Sequence, residues 1–544
     1  MIQAEAGEHR FERRVEIAVR GIAPTEHRSL AFELGPRRSR TLPLGLAEGL
    51  VPGSVAARLT AAAYPPFPLE SARERLKTFP LGCAEQTIGR AYAALDGTGE
   101  AHSVLLERAL ARLAGMQLAD GHFAMWPESA IPNPMVTPLV AELLLDAEEA
   151  GHAVSAGMLE RALEAMRRDL LRGDPSFHHS LEPDRLRFLY HAHAAYVLAR
   201  AGRGEHSALL SLYERRGEAP GPRALAYLAA ALHLAGEERL TREALRAMRA
   251  TRPHPGGLHA DFASPLAERL SVALVIARHR IGDAASLLWE AHREWSARQR
   301  GGQDAWSSGL STFELATMLR LGELGASDAR PLALQLDGGE GALALQGKGP
   351  LRREIPAESL DGLTIRNEGE QLAYVLVELA GEPSAPPAPR SEGISIRRDY
   401  FRRDGTPFEG GELTEGEVVI GRIRLSVAQP VANLLVEDLL PAGLELEIPA
   451  LGDHDPFPGL LIDGLAVGQR HHGVTPDREE FRDDRYFAAM PMSWAGSEVT
   501  LFYVMTAVTP GEYQVPAARA EDMYRPWVYG IDSPKPSHIR IVGP

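Results

Sequence analysis

The chain has 544 residues, with 58 lysines and arginines against 73 aspartates and glutamates, a formal net charge of −15. This length predicts several domains, because single hydrophobic cores stop growing at roughly 250–300 residues. The acidic balance argues against nucleic-acid binding, which needs a basic surface, and a single cysteine excludes an internal disulfide framework. The N-terminal residues are neither basic nor apolar and predict no signal peptide. No run is apolar enough to predict a membrane span.

The chain is predicted to begin with a few β-strands. Residues 11–19, 29–34 and 54–62 alternate in part between apolar and polar side chains, which is typical of strands with one buried face. These strands are too few to form a complete sandwich by themselves.

A helical region is predicted from about residue 68 to residue 325. Its apolar residues recur at spacings of three and four, and glycines that can supply a left-handed cap follow several of its helices. Similar helices recur at 137–150, 187–200, 223–235, 265–280 and 309–321. This recurrence predicts paired helices in a closed ring, an α/α toroid.

Beyond residue 328 the sequence predicts β structure again. Strands are predicted at 332–345, 363–368 and 371–379, a proline-rich extended linker follows, and residues 394–542 read as a sandwich. Because the strands on either side of the helical region are too few alone, we expect them to pair into one β domain that the helices interrupt.

The lone cysteine, Cys83, stands three residues before Gln86 in the run Phe79-Pro80-Leu81-Gly82-Cys83-Ala84-Glu85-Gln86-Thr87. Residues 84–95 are predicted to form a helix, and residues three apart on its first turn are neighbours. The thiol could therefore attack the Gln86 amide, expel ammonia and form an internal thioester. A helix N-terminus is expected to lower the pKa of the thiol, and Glu85 could orient the amide or move a proton. The alternative is a buried structural cysteine beside an ordinary glutamine.

This segment resembles the thioester motif of the α2-macroglobulin and complement family, whose core is Gly-Cys-x-Glu-Gln. Its flank is similar to that of the bacterial members, with Leu81 in place of their second aromatic residue. Other segments also resemble bacterial members: Asp120 to Gly151, Ser264-Pro265-Leu266, Trp306 with Ser311-Thr312, Gly393 to Tyr400, Asp438 to Gly443, Arg482 to Arg485, Ala507 to Gly511 and Met523 to Pro526. The resemblance covers essentially the whole chain, but only the C-terminal portion of a typical member.

The resemblance implies a multidomain α + β fold in which an α/α toroid thioester domain is inserted in a split CUB-like β domain, followed by a C-terminal macroglobulin-like β-sandwich. The implied boundaries are 1–66 and 328–382 for the two parts of the CUB-like domain, 67–327 for the thioester domain, 383–392 for the linker and 393–544 for the sandwich.

The resemblance implies the thioester-bearing part of a broad-spectrum proteinase inhibitor. Such an inhibitor bonds covalently to a lysine amine or a hydroxyl of the proteinase that attacks it. Such a protein reacts once and is not an enzyme with turnover, and it needs no cofactor beyond its own Cys83–Gln86 bond. No bait region is recognised in this sequence, so upstream macroglobulin domains or a partner chain would supply it. The resemblance implies that the longer protein is periplasmic, with an anchor in the inner membrane as one option, while the sequence leaves the cytoplasm open.

Several further residues receive roles from the resemblance. Gly82 and Glu85 would support the thioester, and Met523 and Tyr524 would shield it from water, although both could equally be core residues of the sandwich. His178 and His179 are candidate helpers of acyl transfer, against the simpler reading of solvated loop histidines.

Two other functions are weighed against capture. Toroids also host glycan-cleaving and terpenoid enzymes, which need paired carboxylates or an aspartate-rich run, and no aspartate-rich run occurs in the helical region. A non-reactive scaffold is the third option. No metal site is expected, because His191 and His193 are two residues apart on one helix and lack a cysteine partner.

Overall fold

The computed structural model describes residues 2–6, 9–13, 23–78, 82–95, 97, 99–172, 183–252, 261–301, 310–325, 330–338, 341–448 and 457–543. Within these residues, no helix is both long enough and apolar enough to cross a membrane.

A β domain is built from strands on both sides of the helical region. Its strands are β1 (Ile2–Ala6), β2 (His9–Arg13), β3 (Glu26–Leu34), β4 (Ser39–Thr41), β5 (Ala56–Ala62), and then, after the helices, β6 (Pro331–Gly338), β7 (Gly341–Lys348), β8 (Leu351–Ile355), β9 (Thr364–Asn367) and β10 (Ala373–Gly381). Two sheets, ordered β3-β10-β5-β8 and β4-β9-β6-β7, share one apolar core. Strands β1 and β2 pair with each other in a separate two-stranded sheet. Because β10 lies between β3 and β5, the helices interrupt a single β domain.

The helical region contains α1 (Leu69–Thr78), α2 (Ala84–Leu95), α3 (Glu100–Ala114), α4 (Val136–Glu149), α5 (Ala156–Arg172), α6 (Pro183–Arg200), α7 (His206–Glu214), α8 (Pro222–Leu234), α9 (Glu238–Ala250), α10 (Pro265–His279), α11 (Ala284–Gly301) and α12 (Thr312–Gly325). Each even-numbered helix from α4 to α12 contacts the preceding even-numbered helix, and α12 also contacts α2. The helices α2, α4, α6, α8, α10 and α12 therefore form a closed cycle.

Composition separates the helices of this cycle from those outside it. Nearly every residue of α8 is buried, as expected of a helix that is apolar on all sides. In α9, which packs on α8, the buried residues Leu240, Thr241, Ala244 and Met248 form one face. That pattern is typical of a helix with one face toward solvent.

The C-terminal domain is all β and packs two large sheets face to face. Its strands are β11 (Arg390–Glu392), β12 (Ile394–Arg402), β13 (Glu412–Thr414), β14 (Val418–Val427), β15 (Val431–Leu439), β16 (Leu444–Leu446), β17 (Leu461–Ile462), β18 (Leu465–Ala466), β19 (His471–His472), β20 (Arg478–Arg482), β21 (Arg485–Met492), β22 (Glu498–Ala507), β23 (Gly511–Gln514), β24 (Arg519–Asp522), β25 (Arg525–Ile531) and β26 (His538–Val542). The sheets are ordered β11-β25-β24-β15-β21-β20 and β12-β14-β22-β16. One apolar core joins them.

The outer face of the first of these sheets packs against the helical region. Leu435 on β15, Phe487 and Ala489 on β21, and Met523 and Tyr524 in the β24–β25 turn belong to the same apolar cluster as the helices. The turn therefore lies in a buried contact between two domains, and that contact covers the start of α2.

Candidate thioester site

Cys83 and Gln86 cap the N-terminus of α2 reciprocally. The backbone N–H of Gln86 donates to Cys83 Sγ at 3.4 Å, and the backbone N–H of Cys83 donates to Gln86 Oε1 at 3.4 Å. The carbonyl of Cys83 also accepts the first helical hydrogen bond, from Thr87. This is the capping-box pattern, in which residues three apart satisfy each other's free N–H groups, with a thiol in the place of a hydroxyl. The helix start by itself therefore brings the thiol and the amide together.

Both side chains are sealed from solvent. Cys83 and Gln86 are each 1% exposed, and the Gln86 amide nitrogen donates to Met523 Sδ at 3.3 Å. On the other side, the backbone N–H of Ala84 donates to the carbonyl of Met125 at 2.8 Å. The pair is held dry, which a hydrolysable bond would require.

The predicted lowering of the Cys83 pKa is wrong. Burial raises the pKa of this thiol, and the negative charge of Glu85 raises it further. Hydrogen bonds from the backbone and the charge of Arg90 oppose these effects but are smaller. Desolvation outweighs the helix N-terminus here, because the low-dielectric surroundings disfavour the thiolate.

Glu85 joins the helical region to the C-terminal domain. Its Oε2 accepts hydrogen bonds from the Thr312 hydroxyl at 2.6 Å and from the Tyr524 hydroxyl at 3.2 Å. Burial raises the pKa of Glu85 to about 7, although both hydrogen bonds lower it. Among the residues that the structure describes, the Glu85 carboxyl binds the hydroxyls of Thr312 and Tyr524 and makes no hydrogen bond to the Gln86 amide. Its geometry therefore favours positioning of Tyr524 over the predicted orientation of the amide.

Met523 and Tyr524 form the tip of a rigid turn. Asp522 Oδ1 accepts the backbone N–H groups of Tyr524 at 3.0 Å and Arg525 at 3.2 Å, and the Met523 N–H donates to the carbonyl of Asn433. An aspartate that binds the backbone of the residues after it preorganises a turn. The structure thus brings both predicted shielding residues to the predicted site.

Three residues that support the site were not predicted as site residues from the sequence. Phe262 packs edge-on against the ring of Tyr524, with centroids 4.9 Å apart, and has a left-handed φ of 55°. Thr312 was recognised only as part of a helix start, and Arg112 Nε donates to the carbonyl of Gly82 at 2.9 Å. A side chain at position 82 would displace the flexible Arg112 guanidinium from this contact. None of these contacts has a local signal in the sequence.

The remaining predicted residues lie outside the described residues or away from this site. Phe79, Pro80 and Leu81 lie outside the described residues, as do His178 and His179. His193 is buried and hydrogen-bonds Glu142 at 3.0 Å. Among the described residues, no group of three or more histidine, cysteine, aspartate or glutamate side chains could hold a metal.

A glycan-cleaving centre is also disfavoured. Glu142 and Asp146 lie together on α4 within the closed cycle of helices. They are 2% and 6% exposed, and both accept hydrogen bonds from the Arg320 guanidinium. Glycoside hydrolysis needs two carboxyls that flank a substrate, which buried and paired groups cannot do.

Relatives with the same architecture are known. The domain family described as "Bacterial Alpha-2-macroglobulin MG10 domain" matches residues 393–526. The chain is 34% identical to the alpha-2-macroglobulin of Xylella fastidiosa (strain Temecula1), over 100% of this chain and 34% of that protein. It is 27% identical to the alpha-2-macroglobulin of Escherichia coli (strain K12), over 94% of this chain and 31% of that protein. The chain thus spans about a third of the length of the curated relatives it matches.

Solved structures agree. Salmonella alpha-2-macroglobulin reacted with methylamine is 26% identical and superposes with a TM-score of 0.88, over 99% of this chain and 35% of that one. The E. coli protein from domain MG7 to the C-terminus, at 24% identity, shows the same fold with a TM-score of 0.86, over 96% of this chain and 83% of that one. The predicted mixture of helices with macroglobulin-like β domains is confirmed, and the chain belongs to the bacterial alpha-2-macroglobulin family.

Proposed function

We propose that this chain is the thioester-bearing part of a proteinase inhibitor that captures its attacker covalently through Cys83 and Gln86. The reciprocal cap of α2 carries the proposal, because it holds the thiol and the amide at the same helix start in a site closed to water. In this view the helical region is an α/α toroid thioester domain inserted in a CUB-like domain. The closed cycle of helix contacts supports that assignment.

The chemistry has two steps. Cys83 Sγ attacks the side-chain carbonyl carbon of Gln86, the C–N bond breaks and ammonia leaves with the thiol proton. Later an amine or hydroxyl attacks the same carbon, the C–S bond breaks and the thiol of Cys83 is released. Each molecule reacts once, as a stored acyl group rather than a turnover catalyst.

Burial keeps the bond away from outside nucleophiles until the domain contact opens. The raised pKa of Cys83 keeps the free thiol protonated inside the closed contact, and Met523 stands directly on the Gln86 amide. A proteinase could reach the carbonyl only after the β24–β25 turn moves away. We propose that cleavage of a bait, carried by upstream domains or a partner chain, triggers this movement in the periplasm, and that His178 and His179 assist acyl transfer.

Intact mass of the native protein, with and without methylamine, tests the proposal together with thiol titration. We expect a mass about 17 Da below the sequence value and no titratable thiol. Methylamine should then add to Gln86 and release one thiol. Cys83→Ser is the matched control, because serine preserves the cap of α2 but should show the full mass with no response.

A native mass equal to the sequence value, with one thiol that titrates after denaturation and does not depend on methylamine, would contradict capture. It would favour the non-reactive scaffold instead. A mass about 1 Da above the sequence value would identify a thioester that had formed and hydrolysed, since glutamine becomes glutamate.

A further inference from the structure

A cavity of about 380 Å³ opens where the helical region meets the C-terminal domain. Gly82, the residue before Cys83, forms part of its wall. Four arginines line it, two from each domain: Arg90 on α2, Arg112 on α3, and Arg478 and Arg482 on β20. The volume suits a small ligand, since such sites are typically about 300–1,000 Å³.

The carboxylates of this lining are fewer than its guanidiniums. Among the described residues, Glu479 and Glu480 are the two that line the cavity. Glu479 is engaged by residues outside it: its Oε2 pairs with Arg470 at 3.0 Å and with His471 at 2.8 Å. Its Oε1 accepts from the Tyr486 hydroxyl at 2.6 Å. Glu480 therefore remains as the lining carboxylate that serves the arginines.

The two arginines of β20 share Glu480. Its Oε2 accepts from Arg482 at 2.5 Å, and its Oε1 lies 3.6 Å from Arg478 Nε. Arg478 also approaches Glu128, a strongly exposed glutamate of the helical region, at 3.8 Å. These two carboxylates match the two guanidiniums of β20. Any uncompensated guanidinium on the helical side therefore gives the cavity a net positive charge.

Arg112 supplies that charge on the helical side. Its Nε donates to the neutral carbonyl of Gly82 at 2.9 Å, and among the described residues it forms no ion pair. Burial lowers the pKa of Arg90, and the like charges of Arg112 and Arg482 lower it further. Glu480 opposes this repulsion. Guanidiniums that repel one another around an open cavity favour an anion there.

An oxyanion suits this lining better than an apolar molecule does. Apart from Gly82, Ile448 and Phe481, every lining side chain is charged. A planar guanidinium binds the oxygens of a carboxylate or a phosphate through two parallel N–H groups. An anion with several oxygens can therefore meet guanidiniums from both sides of the cavity at once.

We propose that this cavity binds a small phosphate-type or carboxylate-type oxyanion with two or more negative charges, and that the bound anion holds the two domains together. Arg112 is its contact on the helical side and Arg478 its contact on β20. Because these arginines belong to different domains, the complete site exists only while the domain contact is closed. A ligand that binds one arrangement stabilises that arrangement, so the anion should slow the opening that exposes Cys83.

The meaning of this slowing for capture rests on the proposed function. Binding of the anion and slower opening of the contact can both be measured without a thioester. The experiments below are chosen on that basis, so that an absent thioester would not remove either readout.

Calorimetric titration with pyrophosphate tests binding, with trimethyl phosphate as the uncharged ligand and sodium chloride to hold the ionic strength constant. We expect pyrophosphate to bind and trimethyl phosphate to give no heat of binding. Arg112→Gln and Arg478→Gln should each weaken the binding of pyrophosphate about tenfold, since each removes a charged hydrogen-bond donor. Arg242→Gln is the control, because Arg242 is exposed on α9 and does not line the cavity.

Two further measurements complete the binding test. If Arg112→Gln does not fold, Arg112→Lys should weaken binding about threefold, because lysine keeps the charge but loses the paired N–H groups. Citrate is titrated at the same ionic strength to separate the two anion types. Tighter binding of citrate indicates a carboxylate ligand, and tighter binding of pyrophosphate indicates a phosphate ligand.

Alkylation of Cys83 by iodoacetamide measures opening of the contact. In Gln86→Ala no thioester can form, so the thiol reacts whenever the contact exposes it. Pyrophosphate at ten times its dissociation constant should slow alkylation about tenfold, because the ligand reduces the open fraction by the factor 1 + [L]/Kd. Adding Arg112→Gln to this variant should remove the slowing.

Three results would overturn the proposal. Equal heats for pyrophosphate and trimethyl phosphate, or no effect of Arg112→Gln and Arg478→Gln, would show that the cavity is not an anion site. Binding of pyrophosphate with unchanged alkylation of Cys83 would show that the anion does not hold the domains together. A native mass without a thioester would contradict capture and would alter neither measurement, so the two proposals fail separately.

Discussion

Glu85 and Met523 act on the same helix start from opposite sides of the domain contact. Glu85 holds the hydroxyls of Thr312 and Tyr524, and Met523 Sδ accepts from the Gln86 amide. The sequence separations are 227, 439 and 437 residues, respectively. At the scale of single residues, the site is therefore a local cap covered by distant side chains.

Met523→Ala should expose the proposed thioester. Removal of the thioether opens a path for water and small amines, so we expect methylamine to release the Cys83 thiol about tenfold faster, a loss of about 1.4 kcal/mol of protection. Met490→Ala is the matched control, because Met490 is buried in the C-terminal core and does not contact the site. Equal rates in the two variants would mean that Met523 shields nothing.

Glu85→Gln should change how stability depends on pH. The pKa of Glu85 is about 7 in the fold against 4.5 ordinarily, so the folded chain holds this proton more tightly. Its favourable contribution is complete below about pH 4.5 and is lost as pH rises through 7, by about 3 kcal/mol at most. We expect the melting temperature of Glu85→Gln to rise relative to the parent between pH 5 and pH 8.

The control for this measurement is Glu107→Gln, an exposed residue of α3 in the same region. Its difference from the parent should not vary with pH. A constant difference for Glu85→Gln as well would show that the Glu85 carboxyl does not titrate in this range.

At the scale of elements, α4 and α12 are joined by buried charge. Arg320 on α12 donates to Glu142 at 2.5 Å and to Asp146 at 3.0 Å, both on α4, and its guanidinium lies 4.7 Å from the ring centroid of Tyr92 on α2. The pKa of Glu142 is held well below its ordinary value, since Arg320 and His193 outweigh its burial. His193 and Arg200 on α6 and Arg278 on α10 pair with the same two carboxylates. Five helices of the closed cycle therefore share one network, which fixes how they pack.

Arg320→Met should destabilise the helical region strongly. Arg200 and Arg278 still pair with the two carboxylates, but Glu142 loses its closest guanidinium. We expect a loss of about 3 kcal/mol, which should appear as a lower melting temperature. Arg203→Met is the control, because Arg203 pairs with Glu160 on the surface and should cost under about 1 kcal/mol. Adding Glu142→Gln to Arg320→Met should recover part of the loss; equal effects of the two arginine variants would contradict the argument.

At the scale of the molecule, the C-terminal domain contacts the helices at several separate points. Besides the β24–β25 turn, the Arg298 guanidinium lies 4.9 Å from the ring centroid of Trp527, and Arg478 approaches Glu128 at 3.8 Å. If the two domains separate as rigid bodies, weakening a contact far from Cys83 should make the proposed thioester more accessible to small amines.

Trp527→Ala tests this coupling. We expect it to speed release of the thiol by methylamine about threefold, because it weakens the closed contact without touching Cys83 or Gln86. Trp494→Ala is the matched control, since Trp494 is 68% exposed in the same domain and should leave the rate unchanged. An unchanged rate in Trp527→Ala would indicate that the turn opens locally and the domains stay together.

Local chemistry was readable in the sequence. The predicted helix 84–95 coincides with α2, because helix signals act over a few positions. Cys83 and Gln86 cap the start of that helix, and the thioester between them remains a prediction. The mixed α and β class was also predictable from periodicity. The assignment of the closed cycle as an α/α toroid, the CUB-like domain and the domain boundaries remain predictions.

Everything that depends on distant partners required the three-dimensional arrangement. The thiol pKa was predicted with the wrong sign, because a helix N-terminus is visible in the sequence whereas the extent to which the fold desolvates the thiol is not. The same holds for the hydrogen bonds that Glu85 accepts from Thr312 and Tyr524. Propensity and capping act over one helical turn, while desolvation and charge pairing depend on which side chains the folded chain brings together.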